Sequence, residues 1–224
     1  MVVFGGVQNV SLIDYPDNVT MIFFTVGCNF RCPFCHNPDL IFNAQNIFGN
    51  EKAFELIRAK KGLINSVTIT GGEPTLHKDL PEFIRNVKEM GFKVKLDSNG
   101  SSPSMLRECI NDLDYIAMDV KTSLDKYKLV GYTEIENIKE SIQLIMEKAK
   151  DYEFRATLAP GIINLEDLNE VGKLVKGAKR FYLQQFRQGN NLDKNFNPEP
   201  YTQEQINLFK EVLSNYVDEV ELRI

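Results

Sequence analysis

The chain has 224 residues, 43% of them hydrophobic and 25% charged, with a net charge of −5. That balance describes a globular protein able to bury most of its apolar surface, read here as one domain over residues 1–224. No basic tract suits nucleic acid or an anionic membrane, no apolar run reaches membrane-spanning length, and MVVFGGVQNV has no charged leader or cleavage site.

Val2–Ile13 reads as an extended lead-in, closed by a turn at Asp14-Tyr15-Pro16-Asp17, where Asp opens and Pro sets φ. Val19–Thr25 is a continuous apolar run, too short for a helix and stopped by Gly27, so it reads as a buried strand. The segment GCNFRCPFCHNP follows at once. Glu51–Lys61 has helical spacing and a Gly62 stop; Ser66–Thr70 is the second strand, broken by Gly71-Gly72-Glu73-Pro74. Leu80–Met90 is a helix with Gly91 as its stop, and Phe92–Leu96 is the third strand, followed by Asp97-Ser98-Asn99-Gly100. Ser104–Asn111 is helical, and Tyr115–Val120 is the fourth strand. Ile138–Lys150, Leu165–Val175 and Gln203–Tyr216 read as helices; Phe154–Leu158 and Phe181–Phe186 read as strands, with Val220–Ile224 a short terminal one. Asn190–Pro200 (NNLDKNFNPEP) reads as a mobile loop. Such alternation predicts an α/β protein of parallel βαβ units, without deciding between an open sheet and a barrel.

Cys28, Cys32 and Cys35 are spaced C-x3-C-x2-C. Three thiolates from one short loop can hold three irons of a four-iron cluster, which ordinarily takes four cysteines. The fourth cysteine, Cys109, lies far away in a helical stretch and reads as a small core residue. The fourth iron is then open to a ligand, as the exchangeable position of a catalytic metal site is. Phe34 adds an aromatic side chain beside the cysteines. Clustered cysteines without a disulfide framework suit a reducing cytoplasm. The competing reading is a Cys3His zinc site using His36, although adjacent Cys35 and His36 ligate one ion only with strain.

Each later motif closes a strand. Gly71 and Gly72 let a ligand approach the backbone closely, and Glu73 can accept hydrogen bonds from an ammonium group. Asp119 and Lys121 are two apart and so share a face. Arg155 sits in an apolar strand; facing inward it needs a partner, facing outward it is an ordinary surface charge. His77, near a helix start, reads as solvent-facing.

The cysteine loop, with an aromatic residue before its last cysteine, resembles that of the radical S-adenosylmethionine (radical SAM) enzymes. With GGVQNVSLIDYPD and the strand TMIFF, the string resembles the activating enzymes of glycyl-radical proteins, nearest to the anaerobic ribonucleoside-triphosphate reductase type. The resemblance implies a partial (β/α)6 barrel, a 4Fe-4S cluster on Cys28, Cys32 and Cys35, and S-adenosylmethionine on its open iron. It implies that Phe34, His36, Gly71, Gly72 and Glu73 contact that cofactor. By the same resemblance Asp97, Ser98 and Asn99 reach it and, with a second Asp, a monovalent cation. Lys121 is implied for its carboxylate, Asp119 for the cation or a ribose hydroxyl, and Arg155 for the carboxylate or a nearby acid. Arg187 joins them at the end of the sixth strand. Pyruvate formate-lyase activating enzymes carry His at the similar position, so Arg187 favours the reductase-activating branch. The implied partners are a glycyl-radical enzyme and a flavodoxin or ferredoxin-type electron donor. The alternatives are a pyruvate formate-lyase-type activase and a small-molecule enzyme such as a 7-carboxy-7-deazaguanine synthase.

Overall fold

Eight strands form one sheet in sequential order: β1 (Phe4–Ser11), β2 (Thr20–Thr25), β3 (Ser66–Gly71), β4 (Lys93–Ser98), β5 (Tyr115–Asp119), β6 (Tyr152–Leu158), β7 (Arg180–Gln185) and β8 (Glu219–Arg223). The computed structural model describes residues 1–42 and 44–223. Strands β2 to β8 are parallel, and β1 adds antiparallel to the outer edge of β2. The helices are α1 (Pro38–Phe42), α2 (Asn50–Ala59), α3 (Leu80–Glu89), α4 (Pro103–Cys109), α5 (Ile135–Lys148), α6 (Leu165–Leu174) and α7 (Gln203–Leu213).

Strand order decides what alternation of elements cannot. Right-handed crossovers between sequential neighbours put every helix on the same side of the sheet. One-sided cover curls the sheet towards a barrel. Because β1 and β8 do not pair, it stays open. The six foreseen parallel strands are β2 to β7, and β8 extends the arc. The terminal strand expected over Val220–Ile224 is β8; Ile224 itself lies outside the described residues.

Period-two alternation sorts the two faces of the sheet. Val94 and Leu96 of β4, Ile116 and Met118 of β5, and Phe154 and Ala156 of β6 join Phe83, Ile142 and Leu168 of the helices in one apolar core. The opposite positions on the same strands carry Lys95 and Asp97, Ala117 and Asp119, Glu153 and Arg155. The inner face is therefore polar, and its charges must find one another.

Two expectations change. Asn190–Pro200 has no regular secondary structure but is not free. The amides of Leu192 and Asp193 donate to the carbonyls of Cys35 and Pro33, at 3.0 and 3.1 Å. Phe196 stands 6.3 Å from Phe34 and 5.6 Å from Phe186, ring to ring. The loop is a buttress for the cysteines, since long-range backbone bonds anchor a segment whose composition alone suggests a linker. His77 is half-buried rather than solvent-facing, its Nε2 donating to the Val26 carbonyl at 3.0 Å.

Candidate active site

The cysteine loop leaves β2 and crosses the C-terminal ends of the strands. It is held by backbone bonds to parts of the chain remote in sequence: Arg31 N to the Val130 carbonyl at 2.7 Å, and Gly27 N to the Leu40 carbonyl at 2.8 Å. The loop covers a cavity of about 250 Å³ lined by Cys28, Cys32 and Cys35, by Phe34 and His36, and by Gly71, Gly72 and Glu73. Asp97, Ser98, Asn99, Asp119 and Lys121 complete the wall, with Phe30, Asn37, Thr70 and Thr157, which sequence reasoning did not single out. The four motifs thus meet because four successive parallel strands end side by side, where α/β barrels gather their sites.

The two glycines serve a purpose the sequence does not reveal. A Cβ on Gly72 would lie 1.9 Å from the Gly27 carbonyl oxygen, and one on Gly71, at φ +119°, would lie 2.3 Å from Thr25 N. Gly72 N and Glu73 N donate to the Thr25 and Gly27 carbonyls at 2.9 and 2.8 Å. Both glycines border the cavity, and their missing Cβ atoms also let them clamp the cysteine loop onto β3.

Glu73 is also committed internally. It is 1% exposed. Its Oε1 accepts from Thr75 N, Thr75 Oγ1 and Ser98 Oγ at 3.1, 2.5 and 2.9 Å, and its Oε2 accepts from Asn99 N at 2.6 Å. Burial raises its pKa, and these hydrogen bonds oppose the shift. Glu73 therefore fixes the Ser98-Asn99 turn against the end of β3. Asn99 Nδ2 in turn reaches Asn29 Oδ1 at 3.0 Å and Cys28 Sγ at 3.9 Å.

Behind the cavity the inner-face charges form a chain. Arg155, 8% exposed and facing inward, donates from Nε to Asp119 Oδ1 at 2.9 Å and from Nη1 to Asp97 Oδ2 at 3.2 Å. Lys121 Nζ donates to Asp119 Oδ2 at 3.0 Å, and Lys95 Nζ lies 2.7 Å from Asp97 Oδ1. Burial pushes both aspartates up, but Arg155, aided by Lys95 at Asp97 and Lys121 at Asp119, holds both below the usual carboxylate range. Burial likewise disfavours the Lys121 charge, and Asp119 overcomes it, so Lys121 stays an ammonium. Below them Glu153, fully buried, takes both Arg223 guanidinium nitrogens at 2.8 and 2.9 Å and the Tyr115 hydroxyl at 2.7 Å. Lys95 and Glu153 were missed in the sequence; charged residues at alternate positions of apolar strands were the available signal.

Not every expected residue borders the cavity. Arg155 lies behind it, on the nearby acids. Arg187 lines an adjoining chamber of about 270 Å³ with His36, Thr157, Gln184, Gln185 and Arg223. His36 Nε2 donates to the Arg187 carbonyl at 2.9 Å. Among the described residues no three His, Cys, Asp or Glu side chains converge as ligands of one ion do. Three separate thiols on one wall instead suit a polynuclear cluster, which places an iron at each thiolate. Burial, with a smaller contribution from neighbouring negative groups, pushes Cys32 up to about 12 and also raises Cys28. Metal charge, rather than the protein, must favour their thiolates. Cys109 is buried in α4, away from all of this.

Three thiols beside a charged wall, at the strand ends of an open, one-sided parallel sheet, form the kind of site in which an α/β enzyme could hold a metallocofactor. The family description "Radical SAM superfamily" matches residues 22–175. The chain belongs to that superfamily and is an enzyme of it. It is 34% identical, over 98% of its length and 95% of the relative's, to a protein of Methanocaldococcus jannaschii named as a candidate glycyl-radical enzyme activating enzyme. It is 31% identical to the pyruvate formate-lyase-activating enzyme of Clostridium pasteurianum over 56% of this chain and 55% of that one. Among solved structures, Streptococcus suis SuiB bound to S-adenosylmethionine shares the fold, with a TM-score of 0.71 at 17% identity over 91% of this chain and 49% of that one. Among the described residues no helix is long and apolar enough to cross a membrane.

Proposed function

We propose that this protein, a single radical SAM domain over residues 1–224, is an activase that reductively cleaves S-adenosylmethionine at a 4Fe-4S cluster and installs a glycyl radical on a partner enzyme. The partner favoured by the resemblance and by Arg187 is anaerobic ribonucleoside-triphosphate reductase, with a flavodoxin or ferredoxin-type protein as electron donor in the cytoplasm. The observation that carries this reading is the meeting of Cys28, Cys32 and Cys35 with Gly71-Gly72-Glu73, Asp97-Ser98-Asn99 and Asp119/Lys121 around one cavity. When bound, the cluster and S-adenosylmethionine supply one-electron reduction of a sulfonium and a carbon-centred radical able to abstract hydrogen.

The chain's own residues bind and orient. Cys28, Cys32 and Cys35 would hold three irons of the cluster. Lys121, kept charged by Asp119, faces the cavity as the partner for a carboxylate. Asp119 and Asp97 present acceptors, and Glu73 fixes the Asn99 turn that reaches Cys28. Phe30 and Phe34 line the cysteine side of the cavity and limit water there. No general base is required by such chemistry, and His36 and His77 each hold a backbone carbonyl, of Arg187 and Val26.

Anaerobic reconstitution with iron and sulfide, reduction and addition of S-adenosylmethionine should release 5′-deoxyadenosine, and Cys32→Ser should abolish it. Co-incubation with anaerobic ribonucleotide reductase should then give a glycyl-radical electron paramagnetic resonance doublet. A doublet with pyruvate formate-lyase instead would favour the second reading, which the Clostridium similarity supports. Deoxyadenosine formation unaffected by loss of Cys32 would refute the assignment.

A further inference from the structure

The resemblance implies a monovalent cation between Asp97 and Asp119, and the residues present do not fit one. All four oxygens of the two carboxylates already face protein cations: Asp97 Oδ1 faces Lys95 at 2.7 Å, Asp97 Oδ2 and Asp119 Oδ1 face Arg155 at 3.2 and 2.9 Å, and Asp119 Oδ2 faces Lys121 at 3.0 Å. We propose that the Lys95 ammonium is the built-in counter-cation of Asp97, completing with Arg155 and Lys121 the neutralisation of the pair, so that the enzyme takes no sodium or potassium ion there.

Three observations carry this. First, Lys95 is 1% exposed, projects from the inner face of β4 two residues before Asp97, and is absent from the cavity wall. It cannot be a cofactor contact and acts only through Asp97, as a positioning residue. Second, the Lys95 ammonium forms an ion pair with Asp97 Oδ1 at 2.7 Å, an oxygen that no other donor reaches. An ammonium is a compact point charge, able to stand in for a small cation beside Asp97. The Tyr115 ring lies beneath it, 5.9 Å from Nζ. Third, the linked network is already positive: Lys95, Lys121, Arg155 and Arg223 face Asp97, Asp119 and Glu153. One further cation would enter a weakly screened interior where the carboxylate oxygens of Asp97 and Asp119 are already matched by protein cations. Lys121, which lines the cavity, instead suits an anionic group, such as a carboxylate, entering it. The proposal rests on the cavity being the S-adenosylmethionine site only for that last point; the cation question concerns Asp97 and Asp119 whatever binds above them.

The test compares equal concentrations, about 100 mM, of choline, sodium and potassium chloride, so that general screening is constant. Thermal midpoints are read on the protein without cluster, and S-adenosylmethionine affinity on the reconstituted protein. The parent should show the same midpoint and affinity in all three salts. Lys95→Met should bind S-adenosylmethionine roughly tenfold or more weakly in choline, one buried carboxylate having lost a cation. Sodium or potassium should restore it saturably, a recovery that a purely structural role for Lys95 would not produce. The double variant Lys95→Met/Asp97→Asn should lose that recovery. A saturable rise of the parent midpoint with sodium or potassium over choline would overturn the proposal, and so would a folded Lys95→Met that ignores both ions. If Lys95→Met does not fold, the parent titration decides. Failure of S-adenosylmethionine to bind in every salt would count against the proposed function and leave the midpoint comparison standing.

Discussion

Arg155 is the residue whose loss the structure penalises most legibly. It bridges Asp97 and Asp119 and approaches Glu153 at 3.9 Å, all on the inner face. Arg155→Met keeps much of the aliphatic stem, so what disappears is chiefly the charge. Removing one partner from a buried ion pair costs about 3–5 kcal/mol, because the remaining charge stays desolvated. For a chain of this size that is a fall in thermal midpoint of roughly 6–20 °C. The assay is anaerobic thermal and urea unfolding of parent and variant from pH 7 downwards. The sign of the pH dependence follows from the aspartates. Both are held below their unfolded pKa, so their stabilisation is complete above about pH 4 and is lost as pH falls through the folded values. In the variant that contribution shrinks, so the two stability curves should converge in acid. A loss below about 1 kcal/mol at pH 7, typical of an exposed pair, would refute the reasoning. So would a gap that stays constant into acid.

Two further predictions follow from the loop geometry. Gly72→Ala puts a methyl 1.9 Å from the Gly27 oxygen, so the cysteine loop must shift. We expect a loss of roughly 1–3 kcal/mol, as in overpacked sites, together with fewer irons retained per chain after reconstitution. Unchanged iron and sulfide content would count against the clamp. Phe196→Ala removes the aromatic contact that seats Asn190–Pro200 on the cysteine loop, and limited proteolysis should then cut within that segment while circular dichroism stays unchanged. Equal resistance in parent and variant would show that the Leu192 and Asp193 backbone bonds suffice.

Much of the site was legible because its motifs are local. Cys28, Cys32 and Cys35 lie within one loop, and Asp97-Ser98-Asn99 and Asp119/Lys121 each close a strand that apolar runs and glycine stops already mark. Spacing of that kind carries chemistry without any knowledge of distant contacts. It is also why the cysteine loop and the order of strands and helices could be read before the tertiary structure, along with the partial barrel that the resemblance implied. Pairing partners are another matter. Alternation says that Lys95, Asp97, Glu153 and Arg155 share the inner face, but not which charge meets which. Strand register decides that: Asp97 stands opposite Ala117, and Asp119 stands opposite Arg155. It set Arg155 between the two aspartates and left Lys95 for Asp97. The glycines at β3 read as room for a ligand, and only the tertiary structure shows that they also make room for Gly27.

What the sequence by itself determined is the chemistry on offer: three thiols able to hold a cluster, acceptors and an ammonium at successive strand ends, and a helix after nearly every strand. What only the tertiary structure decided is how those groups are held. The sequential strand order, the seating of Asn190–Pro200 on the cysteines and the neutralisation of two buried aspartates all join residues distant along the chain. Local propensity does not encode such contacts; they arise when the sheet curls and buried charges, cut off from water, must find their partners inside it.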